Sequence, residues 1–307
     1  MRHVRFHEHG GPDVLRIEDA PVPRPGSGEV LIRVRSAGVT PPLLAQLRGA
    51  AQVPACPGGD IAGEVVELGA DVRGFEVGEL VAGLVMSGAF AEYASVPAFL
   101  LSTVPDGLGA AEAMVVARGG LVALGVLRAA RLSPSESALV TAAAGGVGHL
   151  AVQLARVLGA SRVVAAVGSP DKKDLVAELG ADEVVCYDED WGAPVDVVAD
   201  GVGGDVLRSG VDALAPFGRL VSFSAPGGQI EVNSLRAEVR SVIGFAMGRL
   251  AGARPELVER MRGELWSAVA GGRLRPVVHE EFPLADAAEA VRVVAERRNL
   301  GKVAIRP

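Results

Sequence analysis

The chain has 307 residues, of which 49% are hydrophobic, and it carries a formal net charge of −7. This length allows one large domain or two ordinary ones, and the apolar fraction excludes general disorder. The negative charge disfavours a surface built to bind nucleic acid, so we expect no nucleic-acid partner.

The sequence also argues against export and membrane insertion. Its N-terminal segment lacks the apolar core of a secretion signal, and no uninterrupted apolar run reaches the ~18 residues that a membrane span needs. Two cysteines, Cys56 and Cys186, lack the spacing of a disulfide framework or a metal knuckle. We therefore expect a cytoplasmic protein without a membrane partner.

The first hundred residues predict a β-rich domain. Residues 29–39, EVLIRVRSAGV, alternate apolar and polar side chains with the period of a half-buried strand. Glycines mark turns through residues 61–84, and residues 88–97 predict another short strand that ends at Pro97. Near residues 106–116 the pattern becomes helical.

From about residue 138 strands and helices alternate. Strands are predicted at 137–142, 161–169, 182–187, 194–200 and 218–224, with helices at 146–160, 169–181 and about 204–215. In the second helix Ser169 is the expected N-cap, with Pro170 at the first helical position. This alternation is typical of a parallel sheet with helices on both faces.

Residues 254–272 predict an amphipathic helix, and residues 279–307 predict a strand, a helix and a closing strand. One possible position for the closing strand is in the sheet of the first domain.

Between the first strand and helix of the alternating region, residues 142–148 read AAAGGVG. Gly145 and Gly148 have the spacing of the last two glycines in a dinucleotide-binding turn, and Ala142 takes the first glycine position. Small residues let the backbone approach a pyrophosphate, and the N–H groups at a helix start favour negative charge. The alternative is a glycine-rich turn that serves packing alone.

The end of the second strand bears on the choice of nucleotide. NAD sites usually place an acidic residue there, whereas this chain has Gly168 and Ser169, followed by Lys172 and Lys173. A hydroxyl and an ammonium favour the 2′-phosphate of NADPH. The alternative is that both lysines lie on a solvated helix face, and the nearby Asp171 weakens the case for NADPH slightly.

The chain resembles the zinc-free quinone oxidoreductases and enoyl reductases of the medium-chain dehydrogenase/reductase superfamily. The resemblance is carried by SAGVTPP, PGGDIAGEVVELGADVRGFEVGELV, GAFAEYASVP, AAAGGVGHLAVQLARVLGA, ELGADEVVCYDED and GKVAIRP. It implies an α/β protein with a GroES-like catalytic domain formed by residues 1–120 and 265–307. A Rossmann NADP(H)-binding domain, residues 121–264, is inserted between them, and the active site lies in the cleft.

The resemblance further assigns site residues. Positions that hold the pyrophosphate match Gly145, Gly146, Val147 and Gly148, and those that hold the 2′-phosphate match Ser169, Lys172 and Tyr187. Cofactor-lining loops match Gly201, Val202, Gly203, Phe223, Ser224 and Ala225. The resemblance also implies a homodimer joined at an edge strand, for which residues 241–248 are the candidate; an internal strand is the alternative.

A catalytic zinc needs three protein ligands, and residues 38–44, GVTPPLL, offer none where the family's zinc enzymes place theirs. His3, His7 and His9 fall in the predicted first strand and its turn, where surface positions are expected. We predict no metal.

Several positions depart from the resembled family. Thr40 stands where many quinone reductases have Asn, Ala45 where some have Tyr, and Val122 where Thr is frequent. Arg118 replaces a small apolar residue. This arginine has two open roles, to steer an anionic or carbonyl-bearing substrate or to point to solvent.

We therefore expect an NADPH-dependent oxidoreductase that reduces an activated C=C bond of a quinone, an enone or an enoyl thioester. Thr40 is the candidate donor to the enolate oxygen, and backbone amides are alternatives. Two other functions stay open. One is a biosynthetic tailoring enzyme that performs ketone reduction or a cofactor-assisted rearrangement, and the other is a nonenzymatic NADPH-binding sensor.

Overall fold

The computed structural model describes residues 1–223 and 227–307. The chain divides into two compact units. Unit 1 comprises Met1–Arg118 and Val277–Pro307, and unit 2 comprises Gly119–Pro276. The expected domain boundaries at 120/121 and 264/265 stay a prediction; the second falls inside a helix, Pro255–Ala270.

Unit 1 is mainly β-structure. Its strands are β1 (Arg2–Arg5), β2 (Arg16–Asp19), β3 (Glu29–Gly38), β4 (Gly59–Leu68), β5 (Leu80–Val85), β6 (Tyr93–Pro97), β7 (Leu101–Thr103), β14 (Val278–Pro283) and β15 (Lys302–Arg306). Its helices are α1 (Pro41–Ala45), α2 (Ala110–Met114) and α10 (Ala287–Ala295).

The long strand β3 organises unit 1. Seven strands follow the order β14-β15-β3-β4-β5-β7 with β6 added beside β3, and β1 pairs with β2 separately. β3 pairs with β4, β6 and β15, and its register with β4 shifts twice, which bends the strand and lets different segments pair with different neighbours. The closing strand of the chain, β15, thus returns to unit 1.

Unit 2 alternates strands and helices. Its strands are β8 (Ser137–Val140), β9 (Arg162–Val167), β10 (Glu183–Cys186), β11 (Val195–Asp200), β12 (Leu214–Ser222) and β13 (Ser241–Gly244). Its helices are α3 (Leu121–Ala129), α4 (Gly148–Val157), α5 (Lys173–Glu178), α6 (Gly204–Asp212), α7 (Val232–Ala237), α8 (Met247–Ala253) and α9 (Pro255–Ala270).

All six strands of unit 2 are parallel, in the order β10-β9-β8-β11-β12-β13. Counted from β8, this is the 3-2-1-4-5-6 order of a Rossmann sheet, whose strand order reverses between β8 and β11. Apolar side chains on these strands, such as Leu139, Val164 and Leu220, are fully buried. The predicted fold class, a β-rich domain plus a doubly wound parallel sheet, is confirmed.

The helix expected from residue 170 forms in two parts. A 3₁₀ turn, Pro170–Lys172, precedes α5, and Ser169 occupies the N-cap position without a side-chain bond to a helix N–H. Its hydroxyl instead bonds to the carboxylate of Asp171. The expected capping position is therefore right, but the expected capping bond is replaced by this local contact.

One helical stretch among the described residues, Ala110–Ala129, is long and apolar enough to cross a membrane. Of the most apolar 18-residue segment within this stretch, 78% is buried inside the protein. Such burial is typical of a core helix in a folded protein, so the apolar composition is explained by packing.

Arg219 on β12 joins several elements at the end of the unit 2 sheet where the strands begin. Its guanidinium donates to both carboxylate oxygens of Glu136, at 2.9 and 2.8 Å, and to the carbonyls of Ala130 and Arg131 that follow α3. The hydrogen bonds from Arg219 hold the pKa of Glu136 below its usual range. A paired, fork-like contact of this kind is stronger than a single ion pair.

We expect Glu136→Gln to lower the free energy of unfolding of unit 2 by about 1–2 kcal/mol at neutral pH, because the charged fork is lost. A lowered folded pKa stabilises the protein above the unfolded value, near 4.5, and that stability is lost as the pH falls through the folded pKa. The difference between the two proteins should therefore shrink below pH 4.5.

Urea unfolding followed by tryptophan fluorescence measures this effect, since Trp191 and Trp266 both lie in unit 2. Asp212→Asn, a change at an exposed position of α6, serves as the control. A loss for Glu136→Gln that persists unchanged at pH 3 would contradict the assignment.

Candidate functional site

The glycine-rich loop closes directly on helix α4. Ala142 adopts a positive φ of 50°, and a Cβ on Gly148 would overlap the carbonyl oxygen of Ala142. Gly145 donates its backbone N–H to that carbonyl at 2.8 Å, and the buried ring of His149 donates from Nδ1 to the Gly145 carbonyl at 2.8 Å. The absence of a side chain at residue 148 is thus required for the loop to pack against the helix start.

The start of α4 presents backbone donors. Within the ranges that the structure describes, no acceptor takes the backbone N–H of Gly146, Val147 or Gly148. The first turn of a helix leaves such groups without partners, and they carry the positive end of the helix dipole. The predicted pyrophosphate residues are therefore grouped where a negatively charged ligand is favoured.

Tyr187 connects the loop with the end of β9. Its hydroxyl accepts the Ala142 backbone N–H at 3.0 Å, and its own backbone N–H donates to Val167 at 3.1 Å. A Cβ on Gly168 would lie 3.6 Å from the Tyr187 ring. The structure therefore brings Tyr187 beside both predicted nucleotide-binding segments.

The two adjacent lysines differ in their surroundings. The Lys173 ammonium contacts both carboxylate oxygens of Glu189, at 2.9 and 2.8 Å, and this contact raises the pKa of Lys173. Lys172 closes the 3₁₀ turn, and its backbone N–H donates to the Ser169 carbonyl at 3.3 Å. Lys172 therefore shares a 3₁₀ turn with Ser169, whereas the Lys173 ammonium contacts Glu189, which follows β10.

Ser169 itself is held by an acidic neighbour. Its hydroxyl bonds to Asp171, and this bond lowers the pKa of the Asp171 carboxyl. A carboxylate therefore lies within the segment that would receive the phosphate, and it opposes the attraction of Lys172.

A buried carboxylate, Asp200, organises the loop after β11. It accepts the hydroxyls of Thr141 at 3.0 Å and Ser222 at 3.2 Å, and the backbone N–H groups of Val202 and Gly203 at 3.1 and 3.2 Å. These contacts join the carboxyl ends of β8, β11 and β12, beside the point where the strand order reverses. Ligands of open α/β sheets bind at such points.

The loops that were expected to line the cofactor meet at this network. A Cβ on Gly201 would lie 2.7 Å from Cζ of Phe223, so the bare backbone of Gly201 lies against the ring. Gly203 needs its positive φ of 80° to begin α6. The predicted residues Ser224 and Ala225 lie outside the described part of the chain.

Asp200, Thr141 and Ser222 were not predicted from the sequence. Asp200 did leave a signal, since a charged residue closes an otherwise apolar strand, VDVVAD. Such a residue at the carboxyl end of a parallel strand indicates a site or a polar network. The identity of its partners was set by the strand order, which the sequence did not give.

In unit 1, Thr40 follows β3 and occupies the N-cap position of α1 without a capping bond from its side chain. The residue is only 6% exposed. In the described part of the chain its hydroxyl makes no hydrogen bond, and the hydroxyl oxygen is not wholly buried. The hydroxyl therefore retains a donor for a ligand.

A buried charge cluster lies at the same end of β3. Asp60 is 1% exposed; its Oδ2 accepts the Lys302 ammonium, and its Oδ1 accepts Nη1 of Arg118 at 3.3 Å. Asp60 faces Gly38 across the β3–β4 pair, and a Cβ on Gly38 would lie 2.5 Å from Cε of Lys302. Gly38 thus leaves the space through which the buried lysine reaches Asp60.

Within this cluster the Arg118 side chain turns to Asp60 and is one-third exposed (33%). Sequence reasoning missed Asp60 and Lys302. Both occur in stretches that carried the resemblance, but their partnership joins positions far apart in the chain.

Comparison with known proteins agrees with this architecture. The family model for the alcohol dehydrogenase GroES-like domain matches residues 26–106, and the zinc-binding dehydrogenase model matches residues 146–263. A quinone oxidoreductase of Pseudomonas aeruginosa is 32% identical over 100% of this chain and 99% of its own.

Two solved structures match over the full length of both chains. A mycobacterial protein complexed with NADPH has a TM-score of 0.93 and 30% identity. The Escherichia coli quinone oxidoreductase complexed with NADPH has a TM-score of 0.92 and 26% identity.

The two domains in this order define a medium-chain dehydrogenase/reductase. Within that superfamily, the chain belongs to the zinc-free quinone oxidoreductase family.

The described residues, 1–223 and 227–307, contain no group of three or more His, Cys, Asp or Glu side chains placed to hold a metal ion. The three N-terminal histidines contact other groups. His7 contacts Glu18, His9 contacts the carbonyl of Ala51, and His3 lies 3.7 Å from Sγ of Cys56.

We expect Asp60→Asn to lower the stability of unit 1 by about 3–5 kcal/mol, because the Lys302 ammonium would stay buried without a carboxylate partner. The double variant Asp60→Leu with Lys302→Met removes both buried charges and should recover part of the loss. Hydrogen–deuterium exchange of β4 and β15 measures both effects. Equal protection in Asp60→Asn and the unmodified protein would show that the ion pair contributes nothing.

Proposed function

We propose that this protein is an NADPH-dependent oxidoreductase that reduces an activated C=C bond in a quinone, an enone or an enoyl thioester without zinc. The observation that carries the proposal is the loop at residues 142–148, beside the switch point of a Rossmann sheet, where three successive backbone N–H groups lack an acceptor in the described structure. Relatives named as quinone oxidoreductases, and a relative structure with NADPH, support it.

The residues present fit a dinucleotide. Gly145, Gly146, Val147 and Gly148 would hold the pyrophosphate, because the last three present backbone N–H groups at the start of α4 that no acceptor takes within the described residues. The adenosine end would rest on Ser169, Lys172 and Tyr187. Toward the nicotinamide, the backbone of Gly201, Val202 and Gly203, with Phe223, would line the cofactor; Ser224 and Ala225 stay part of this proposal.

NADPH, when bound, would supply the hydride that the β-carbon of the substrate accepts, and a proton from solvent would complete the reduction at the α-carbon. The chain's own task is to hold the substrate and stabilise the negative charge that grows on its carbonyl oxygen. Thr40 is our candidate for this task, since its hydroxyl has no protein partner in the described structure. One preorganised donor in a partly buried position is worth a large share of such stabilisation.

We propose the same edge-to-edge homodimer that the resemblance implies. Strand β13 forms the edge of the unit 2 sheet and pairs with β12 on one side. Two apolar side chains lie close together near this edge, because the Phe217 backbone N–H donates to the carbonyl of Glu238, the neighbour of Val239. Phe217 is 69% exposed and Val239 is 59% exposed. Exposed apolar side chains beside a sheet edge favour pairing with a second copy.

We also propose a cytoplasmic location. Both cysteines, Cys56 and Cys186, have free thiols, as a reducing compartment favours.

The assay that tests the function follows NADPH oxidation with 1,4-benzoquinone, simple enones and enoyl thioesters. We expect turnover with at least one of these classes, and Thr40→Val should lower kcat about 10–100-fold while NADPH affinity is retained. Thr103→Val, a change at an exposed position of β7, is the matched control. Unchanged turnover in Thr40→Val would remove this residue from the mechanism.

Tight NADPH binding with no turnover across the whole panel would instead indicate a cofactor-binding sensor. NADPH oxidation with simple ketones alone would indicate a carbonyl reductase.

The choice of nucleotide is tested with Lys172→Glu. We expect a loss of NADPH affinity of tenfold or more and a much smaller loss for NADH, because only NADPH carries the 2′-phosphate that the ammonium attracts. Calorimetric titration with both nucleotides gives the ratio. Lys173→Gln, whose ammonium is bound by Glu189, is the control, and equal losses for the two nucleotides in Lys172→Glu would refute the assignment.

A further inference from the structure

The charge cluster of unit 1 is unbalanced. Two cations, Arg118 and Lys302, share the single carboxylate of Asp60, so the cluster keeps one positive charge. Lys302 is 9% exposed and its ammonium is committed to Asp60, whereas the Arg118 side chain is 33% exposed. The uncompensated charge is therefore presented to the surface by Arg118.

Arg118 is also held in place. The described residues provide its guanidinium with one hydrogen bond, from Nη1 to Oδ1 of Asp60. The other guanidinium nitrogens are not wholly buried, so they remain accessible to a ligand. A guanidinium anchored at one nitrogen and accessible at the others offers a fork of donors that fits a carboxylate.

The cluster lies on the same side of β3 as the Thr40 hydroxyl. Side chains two residues apart in an extended segment point to the same face. A Cβ on Gly38 would point toward Lys302 and Asp60, and Thr40 follows two residues later in extended conformation. The hydroxyl proposed to hold the carbonyl oxygen and the surplus positive charge thus border the same face.

We propose that Arg118 is a specificity-determining residue that binds a carboxylate on the substrate, so the preferred substrate is an anionic enone or quinone. This inference rests on the proposed function, which supplies the enone or quinone that is reduced. A carboxylate has one negative charge, which matches the single surplus charge of the cluster, and a neutral quinone would leave that charge unused. Asp60 is the positioning residue that anchors the guanidinium.

The test uses a matched pair of enones, trans-4-oxo-2-pentenoate and its methyl ester, which differ in the negative charge. Because the ester group activates the C=C bond more strongly than the carboxylate does, the ratio is compared between proteins, and we expect Arg118→Gln to lower the acid-to-ester ratio of kcat/KM about 10–100-fold. Arg118→Lys should give an intermediate ratio, because an ammonium keeps the charge without the fork. Arg73→Gln, a change at an exposed position of unit 1, should keep the ratio.

A binding measurement separates this inference from the proposed function. Calorimetry with 4-oxopentanoate and its methyl ester, which lack the C=C bond, needs no turnover. We expect the acid to bind more tightly, with the difference lost in Arg118→Gln and reduced at high salt.

Ester reduction without any preference for the acid in binding would overturn the anion site and leave the proposed function intact. Acid binding through Arg118 without reduction of any enone or quinone would overturn the proposed function and the substrate class with it. An acid-to-ester ratio equal in Arg118→Gln and the unmodified protein would remove Arg118 from substrate recognition.

Discussion

The direct contact between Gly148 and the carbonyl of Ala142 is the constraint on which the nucleotide side of the molecule depends. Because nothing projects from residue 148, helix α4 begins against the loop, and three backbone N–H groups meet at its start. The same geometry turns the N–H of Ala142 toward the hydroxyl of Tyr187. A loop without side-chain chemistry thus acquires an electrostatic function from its backbone alone.

Each unit buries one carboxylate, and the two are satisfied differently. Asp200 in unit 2 is surrounded by hydroxyl and backbone donors, so its negative charge fixes the loops at the ends of three strands. Asp60 in unit 1 is satisfied by two cations, which overcompensate it. A buried carboxylate that accepts hydrogen bonds from neutral donors fixes the backbone around it. A buried carboxylate that is shared by two cations leaves a net positive charge at the surface.

The substrate preference that we propose for Arg118 requires no change of fold. The Rossmann sheet, its strand order and its loop are common features of the superfamily to which the chain belongs. Arg118 departs from the pattern of the resembled family, and its partner Asp60 lies in a stretch that keeps the pattern. In our proposal, one arginine beside a buried carboxylate sets the electrostatics of the site within the common fold.

The sequence by itself determined the alternation of strands and helices, the glycine loop and the family, because periodicity and turn residues act over short distances. The strand periodicity of residues 29–39 gave β3, and AAAGGVG gave the loop before α4. Only the tertiary structure decided that Asp200 joins Thr141 and Ser222, that Lys173 pairs with Glu189, and that Arg118 and Lys302 converge on Asp60. These contacts connect residues separated by 16 to 242 positions, and strand order and register, which no local pattern encodes, bring them together.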